Sequence, residues 1–274
     1  MPKQKIYLLI IAGFLLFTGC SNHDTARKQL AQVRDLYENA QYGSAKQILD
    51  ELKTQYPKDY NLQKDVLHLM REIELKEQQR NLVFCDSLLS IRQAEADSMK
   101  VHFVFEKTEY DSEGRYTDKS WNPAIESGFI GIKTNVTESN DLVLTAIYRS
   151  GESIRYNRLK VSISSGEYAE TQAIPFDGGA NYSFKDGEGN NYQIVTFQKG
   201  RDNGVIAFIY RYATEKITME YAGGKPHPTR ILSQKEKDAL VRITDFAATL
   251  KEVEQSKKEK EKAGERIQYL QSKL

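Results

Sequence analysis

The sequence predicts an α+β protein. An N-terminal helical hairpin and a long antiparallel helical stalk, formed by the first and last long helices, carry an all-antiparallel β-sandwich or barrel head. Three observations predict it. Residues 25–99 place apolar side chains at helical spacing with no strand-like alternation. Residues 101–222 switch to alternating, β-branched and aromatic runs punctuated by RSGES, FDGGAN, KDGEGNN and GRDNG. From Ser233 the helical spacing returns and runs to Leu274.

The chain opens MPKQKIYLLIIAGFLLFTGCSN. Lys3 and Lys5 form a short basic region, and Ile6 to Phe17 is apolar, broken only by Gly13. As a helix that run rises about 18 Å, against a hydrocarbon core of roughly 30 Å, too little to span stably. A basic flank, a short apolar segment and small residues before Cys20 read as a secretory signal over residues 1–19. LLFTGC resembles the bacterial lipobox, with Phe17 where leucine is usual. The resemblance implies a diacylglyceryl thioether on Cys20, cleavage before it and acylation of the new amino terminus. Several acyl chains on one residue anchor a protein permanently, where a single chain does so only marginally. Ser21, where inner-membrane retention uses aspartate, implies the outer membrane, with the protein facing the periplasm or the cell surface.

Removing Lys3 and Lys5 with the leader takes 39 basic and 38 acidic residues to 37 and 38. A near-neutral chain has no nucleic-acid footprint. Cys20 and Cys85 are the only cysteines, so a lipidated Cys20 leaves no intramolecular disulfide, and the fold must rely on its core.

Residues 20–100 hold the hairpin and the first long helix. Leu30, Val33, Leu36 and Tyr37 recur at helical spacing, and Tyr42, Ala45, Leu49 and Leu52 do so after a break at Gly43. The second half, closed by Pro57, resembles the back half of a tetratricopeptide repeat. A single copy falls short of the three or so that a solenoid needs, so the hairpin is expected to pack on other helices. From Asp59 to Met99 one helix carries Leu62, Val66, Leu69 and Ile73, then a heptad seam of Leu75, Leu82, Leu89 and Ala96.

The β domain spans 101–224. Its strands are expected at VHFVFEK, GFIGIKT, LVLTAIY, RLKVSIS, YQIVTFQ, GVIAFIYRY and KITMEYA, within a total of eight to ten. The last helix belongs to 225–274, packs back on 60–99, and begins with Ser233 and Glu236 at capping-box spacing. Antiparallel pairing from the two entry points sets Val66 opposite Ile267 and Leu82 beside Leu250 and Val253. Helices of this length make a stalk of roughly 60 Å at 1.5 Å per residue. The hairpin would complete a four-helix base that buries Leu62, Val66 and Leu270.

No catalytic motif, cofactor motif or metal-ligand spacing is present, and the protein is not expected to be an enzyme. His23, His68, His102 and His227 stand outside any zinc motif. Cys85, on the heptad side, reads as a buried small hydrophobe. DGEGNN places Asp186, Glu188 and Asn190 at alternate positions, but Phe197 stands where a calcium loop needs its bidentate acid, so it reads as a hairpin turn. KKEKEK reads as a solvated helix face. Three Asp-Ser/Thr-apolar triplets, beginning at Asp24, Asp86 and Asp97, resemble a bacterial O-glycosylation sequon. Aromatics make up 18 of residues 101–222, enough for some to serve a ligand. Tyr116, Trp121, Tyr182 and Tyr192 lie near expected turns and are the candidate ligand-stacking residues.

Together KEQQRNLVFCDSLL, FVFEK, AETQAIPFDGGANYSF, NGVIAFIY and IQYLQSKL resemble an uncharacterised family of Bacteroidota lipoproteins. That resemblance implies a Gram-negative envelope and brings no activity with it. The expected function is a membrane-anchored, non-enzymatic binding or scaffolding module with an envelope protein partner. The alternatives are a glycan-binding component of a nutrient-uptake system or an envelope hydrolase.

Overall fold

A computed structural model describes residues 21–109, 112–122 and 129–274, so Cys20 lies outside the described residues. The chain divides into two compact units, one comprising residues up to Leu88 with Ser256–Leu274, the other Leu89–Gln255. Helices α1 (Ser21–Glu38), α2 (Tyr42–Gln55) and α3 (Tyr60–Lys100) come first. Strands β1 (Phe103–Glu106), β2 (Arg115–Asp118), β3 (Gly131–Thr137), β4 (Leu142–Ser150), β5 (Arg158–Ser162), β6 (Tyr168–Glu170), β7 (Asn181–Lys185) and β8 (Asn191–Phe197) follow. A short helix α4 (Val205–Arg211), strands β9 (Thr218–Ala222) and β10 (Thr229–Ile231), and α5 (Gln234–Gln271) complete the chain. The architecture is α+β, and every strand pair is antiparallel.

In the first unit the helical spacing of the sequence becomes one core. Val33, Ala45, Leu49, Leu52, Leu62, Val66, Leu69 and Ile73 are buried in a single cluster. The α1–α2 turn does not fall at Gly43, which lies inside the first turn of α2. It falls at Ala40, whose φ of 56° is left-handed. The Gln41 amide donates to Leu36 O (2.8 Å) and the Ala40 amide to Tyr37 O (3.0 Å), the paired bonds that close a helix through a left-handed residue. Leu270, near the end of α5, is buried along with Leu62 and Val66. Cys85 is also buried, and that burial, followed by the nearby Glu259 charge, pushes its thiol pKa up.

The two long helices run antiparallel in this unit, but in a different register from the expected one. Arg266 pairs with Glu74 at 2.7 Å, Lys260 with Asp86 at 2.5 Å, and Arg71 Nη1 donates to Lys273 O at 3.1 Å. Ile267 therefore lies near Glu74, eight residues from Val66, or about 12 Å along the helix. The cause lies in the second unit, where the first turns of α5 are spent on the sheets.

In the second unit β1-β2-β3-β4-β8-β7 form one sheet and β10-β9-β5-β6 the other. Both contribute to one core: Ile132, Leu144, Ala146, Val195 and Phe197 from the first meet Leu159, Val161, Met219 and Tyr221 from the second. Two buried phenols link the sheets. Tyr221 Oη donates to Ile147 O at 3.0 Å, and Tyr156 Oη lies 2.8 Å from Ala146 O. Burial raises both phenol pKa values.

One expected strand is a helix. GVIAFIYRY is rich in strand-forming residues, but Val205, Ile206 and Ile209 share one helical face and are buried. Gly204, at φ 85°, turns the chain left-handed immediately before them. Strands β2, β6, β7 and β10, each three to five residues long, were not among the expected runs, because their segments lack the clustered β-branched residues that marked the equally short β5 and β9.

The start of α5 is fixed by Glu236. Ser233 and Glu236 form the expected capping box: Ser233 N and Oγ donate to Glu236 Oε2 at 2.9 and 2.8 Å, and Glu236 N donates back at 3.3 Å. The same carboxylate, with a fully buried side chain, also accepts from Arg230 Nη1 (2.6 Å), Arg230 Nη2 (2.9 Å) and Ile132 N (3.1 Å). Burial alone would lower the Arg230 pKa, but its bonds to Glu236 hold it above the ordinary value. A Cβ on Gly131 would collide with Arg230 Nη1 and Glu236 Oε1, so only glycine lets β3 approach this closely. Further along α5, Arg242 pairs with Asp118 at 2.7 Å. Burial would raise the Asp118 pKa, but bonds from Arg242 and Ser120 hold it below the usual carboxylate range. Ile243, Phe246 and Ala247 then meet Ala96 and Phe103, and Arg92 pairs with Glu252 at 2.8 Å.

Removing one partner of a buried ion pair leaves the other uncompensated, at a cost of about 3–5 kcal/mol. Glu236→Ala should therefore lower the unfolding free energy of the second unit, read from its denaturant transition, by an amount in that range, while Glu261→Ala, on an exposed turn of α5, should leave it unchanged. Carbodiimide coupling followed by peptide mapping should join Lys260 to Asp86. Cysteines placed at Val66 and Ile267 should fail to form a disulfide, which needs Cα atoms within about 7 Å.

Candidate functional site

One candidate site in the second unit is an open groove of about 640 Å³ between the β5–β6 hairpin and α4. One wall begins at the hairpin turn, where Gly166 takes φ 96° and the Ile163 amide donates to Glu167 O at 3.1 Å. That turn presents Glu167 and Tyr168, a residue that is 61% exposed. The ammonium of Lys160, on the neighbouring strand, sits 4.6 Å from the Tyr168 ring centroid, a cation–π contact.

The other wall is α4. Phe208 and Tyr212, one helical turn apart, pack their rings at 4.7 Å with a 54° tilt and rest partly on the core. Tyr212 Oη donates to Glu167 Oε1 at 3.1 Å, joining the walls, and Ser165 Oγ donates to Glu167 Oε2 at 3.1 Å. Burial, followed by that carboxylate, raises the Tyr212 pKa. Asn203 and the exposed Arg211 complete the polar rim. A left-handed turn makes this geometry possible: Lys199, Gly200, Asn203 and Gly204 all have positive φ, reversing the chain from β8 into α4.

The candidate stacking residues lie elsewhere, and their rings are already engaged. Tyr116 lies 5.4 Å from Phe246 edge-on and 4.8 Å from Phe105. Trp121 packs edge-on against Phe129 at 5.4 Å, and its Nε1 donates to Ile132 O at 3.0 Å. Tyr192 is 2% exposed and stacks on Phe184 at 5.2 Å, with Arg149 5.7 Å from its centroid. Tyr182 flanks the same cluster, and its burial raises its pKa. Tyr182, Phe184 and Tyr192 form a ladder on β7 and β8; Tyr116 belongs to a different cluster beside α5. These four residues do not line one ligand surface.

The acidic turn beside that ladder is a hairpin closure. Asp186 Oδ1 accepts from the Glu188 and Asn190 amides at 2.9 and 2.8 Å, and Arg149 pairs with Asp186 Oδ2. Its carboxylate is thus committed to its own turn and to Arg149. Exposed His227 pairs with Glu220 at 2.9 Å, away from the groove. No group of three or more His, Cys, Asp or Glu able to hold a metal occurs among the described residues.

Sequence reading missed Glu167, Tyr168, Phe208, Arg211 and Tyr212. The available signal was the four-residue spacing of Phe208 and Tyr212, meaningful only once that segment is read as a helix. No protein-family model matches this chain, and no curated protein matches it.

Replacing a buried aromatic by alanine costs about 3 kcal/mol or more. Tyr192→Ala should therefore lower thermal stability by that order, and Tyr168→Ala, with its ring in solvent, should leave the melting temperature nearly unchanged. Parallel melts of the two variants check the assignment.

Proposed function

We propose that the chain is a lipid-anchored outer-membrane protein whose second unit is a non-enzymatic binding module for an envelope partner. The anchor is supported by the sequence: a short apolar leader ends at LLFTGC, with Cys20 as the acylated residue and Ser21 favouring the outer membrane. The resemblance to Bacteroidota lipoproteins agrees with that setting.

The single observation that carries the binding role is the groove between β6 and α4. Concave sites lined by rings with a few convergent polar groups are the usual form of a ligand site. Here Tyr168 offers an exposed ring, and Asn203 and Arg211 stand at its edge. Hydrolysis has less support. Glu167, the carboxylate of the groove, is engaged by Tyr212 and Ser165, and no histidine lines the groove. A binding role uses such a fixed carboxylate as it stands.

Cys20→Ala should move the protein from the detergent fraction of the envelope into the soluble fraction. Metabolic labelling with a palmitate analogue should mark the wild-type chain and not the variant. An unlabelled wild-type chain would overturn the anchor reading.

A further inference from the structure

The groove's chemistry narrows its ligand class, an inference that rests on the groove being the contact surface. β6 is an edge strand, the usual place for an extended peptide to add. Here that edge is taken up where β6 ends. Asn203 Nδ2 donates to Glu170 O at 2.9 Å, and the Gln172 amide donates to Arg201 O at 3.0 Å. The loop leading into α4 thus takes backbone groups that a peptide strand would need.

Charge narrows it further. Glu167 and Arg211 offset each other across the groove, and Glu170 pairs with Arg158 at 3.2 Å. Among the described residues that line the groove Arg211 is the one cation, with Lys160 held against the Tyr168 ring and Arg158 paired with Glu170, so no cluster of cations stands ready for a phosphate or an anionic surface, which such ligands require. What remains is the Tyr168 ring, exposed although Lys160 sits 4.6 Å from its centroid, a second ring pair, an amide oxygen on Asn203, and a guanidinium that has no hydrogen-bond partner among the described residues. A pyranose has the complementary form: an apolar face of C–H groups to lie on a ring, and equatorial hydroxyls that donate and accept around its rim. Planar side chains such as Asn and Arg suit neighbouring hydroxyls, because each offers several hydrogen-bonding positions in one plane. The volume lies within the roughly 300–1,000 Å³ range of small-ligand sites. We propose that the groove binds a neutral oligosaccharide, with a sugar ring stacked on Tyr168 and its hydroxyls held by Asn203, Glu167 and Arg211.

The test is calorimetric titration of the full chain, purified in detergent, with neutral gluco-, manno-, xylo- and galacto-oligosaccharides. At least one series should bind saturably. Tyr168→Ala should weaken it tenfold or more at an unchanged melting temperature, Arg211→Ala should weaken it several-fold, and Tyr168→Phe should stay within threefold of wild type. Saturable binding that Tyr168→Ala and Arg211→Ala leave intact would overturn the assignment, because the sugar would then sit elsewhere. Absence of binding in every series, with Tyr168→p-benzoylphenylalanine crosslinking to an envelope protein, would overturn the carbohydrate class and leave the groove as a contact surface. Absence of both would overturn the contact surface itself.

Discussion

The second unit depends on one carboxylate. Glu236 accepts from the backbone of β3, from the guanidinium of β10 and from the residue that caps α5, so one buried charge joins both sheets to the helix that follows them. A carboxylate with its side chain out of water needs partners for both oxygens, and here Arg230 supplies the opposite charge while Ser233 and Ile132 supply further donors. The arrangement specifies where α5 begins and at what angle it leaves the sheets. Arg242 on Asp118, and then the stacked rings of Phe103 and Phe246 at 4.5 Å, carry that direction onward.

From this follows the register that the sequence concealed. Helical spacing says which faces of the helices are apolar, and those faces were legible in part: Val33, Leu49, Val66 and Ile73 are all buried, whereas of the heptad seam only Ala96 is buried and Leu75, Leu82 and Leu89 are half-exposed. It does not say how much of a helix is used before the pairing begins. Leu240 looks like any other stripe residue, yet it belongs to the core between the sheets, whereas Ile243 and Phe246 meet the end of α3. The capping box was legible because its two residues are three apart. Arg230 and Ile132 were not, because a bond spanning 104 residues leaves no local trace.

The groove was hidden for a related reason. Its rings come from a hairpin turn and from a helix some forty residues later, and they meet only after the left-handed turn at 199–204. A segment of valine, isoleucine, phenylalanine and tyrosine has the composition of a strand, and seven residues are too few for period alone to decide. Aromatic residues near turns were a reasonable place to look for a ligand surface. In this protein those rings pack against neighbouring rings, and the ring at the groove stands on a turn that carries no other aromatic residue.

The first unit is assembled from the two ends of the chain, with the whole of the second unit intervening in sequence. That order has a kinetic consequence. Bringing Lys260 to Asp86 directly closes a loop of 174 residues, an entropic cost of about 4–5 kcal/mol by the logarithmic law. Once the second unit has joined Arg92 to Glu252, only six residues on one side and eight on the other remain to be closed, and the cost falls to about 2 kcal/mol. The second unit would therefore complete its sheets first, and residues 256–274 would then close onto the helical unit at the smaller cost.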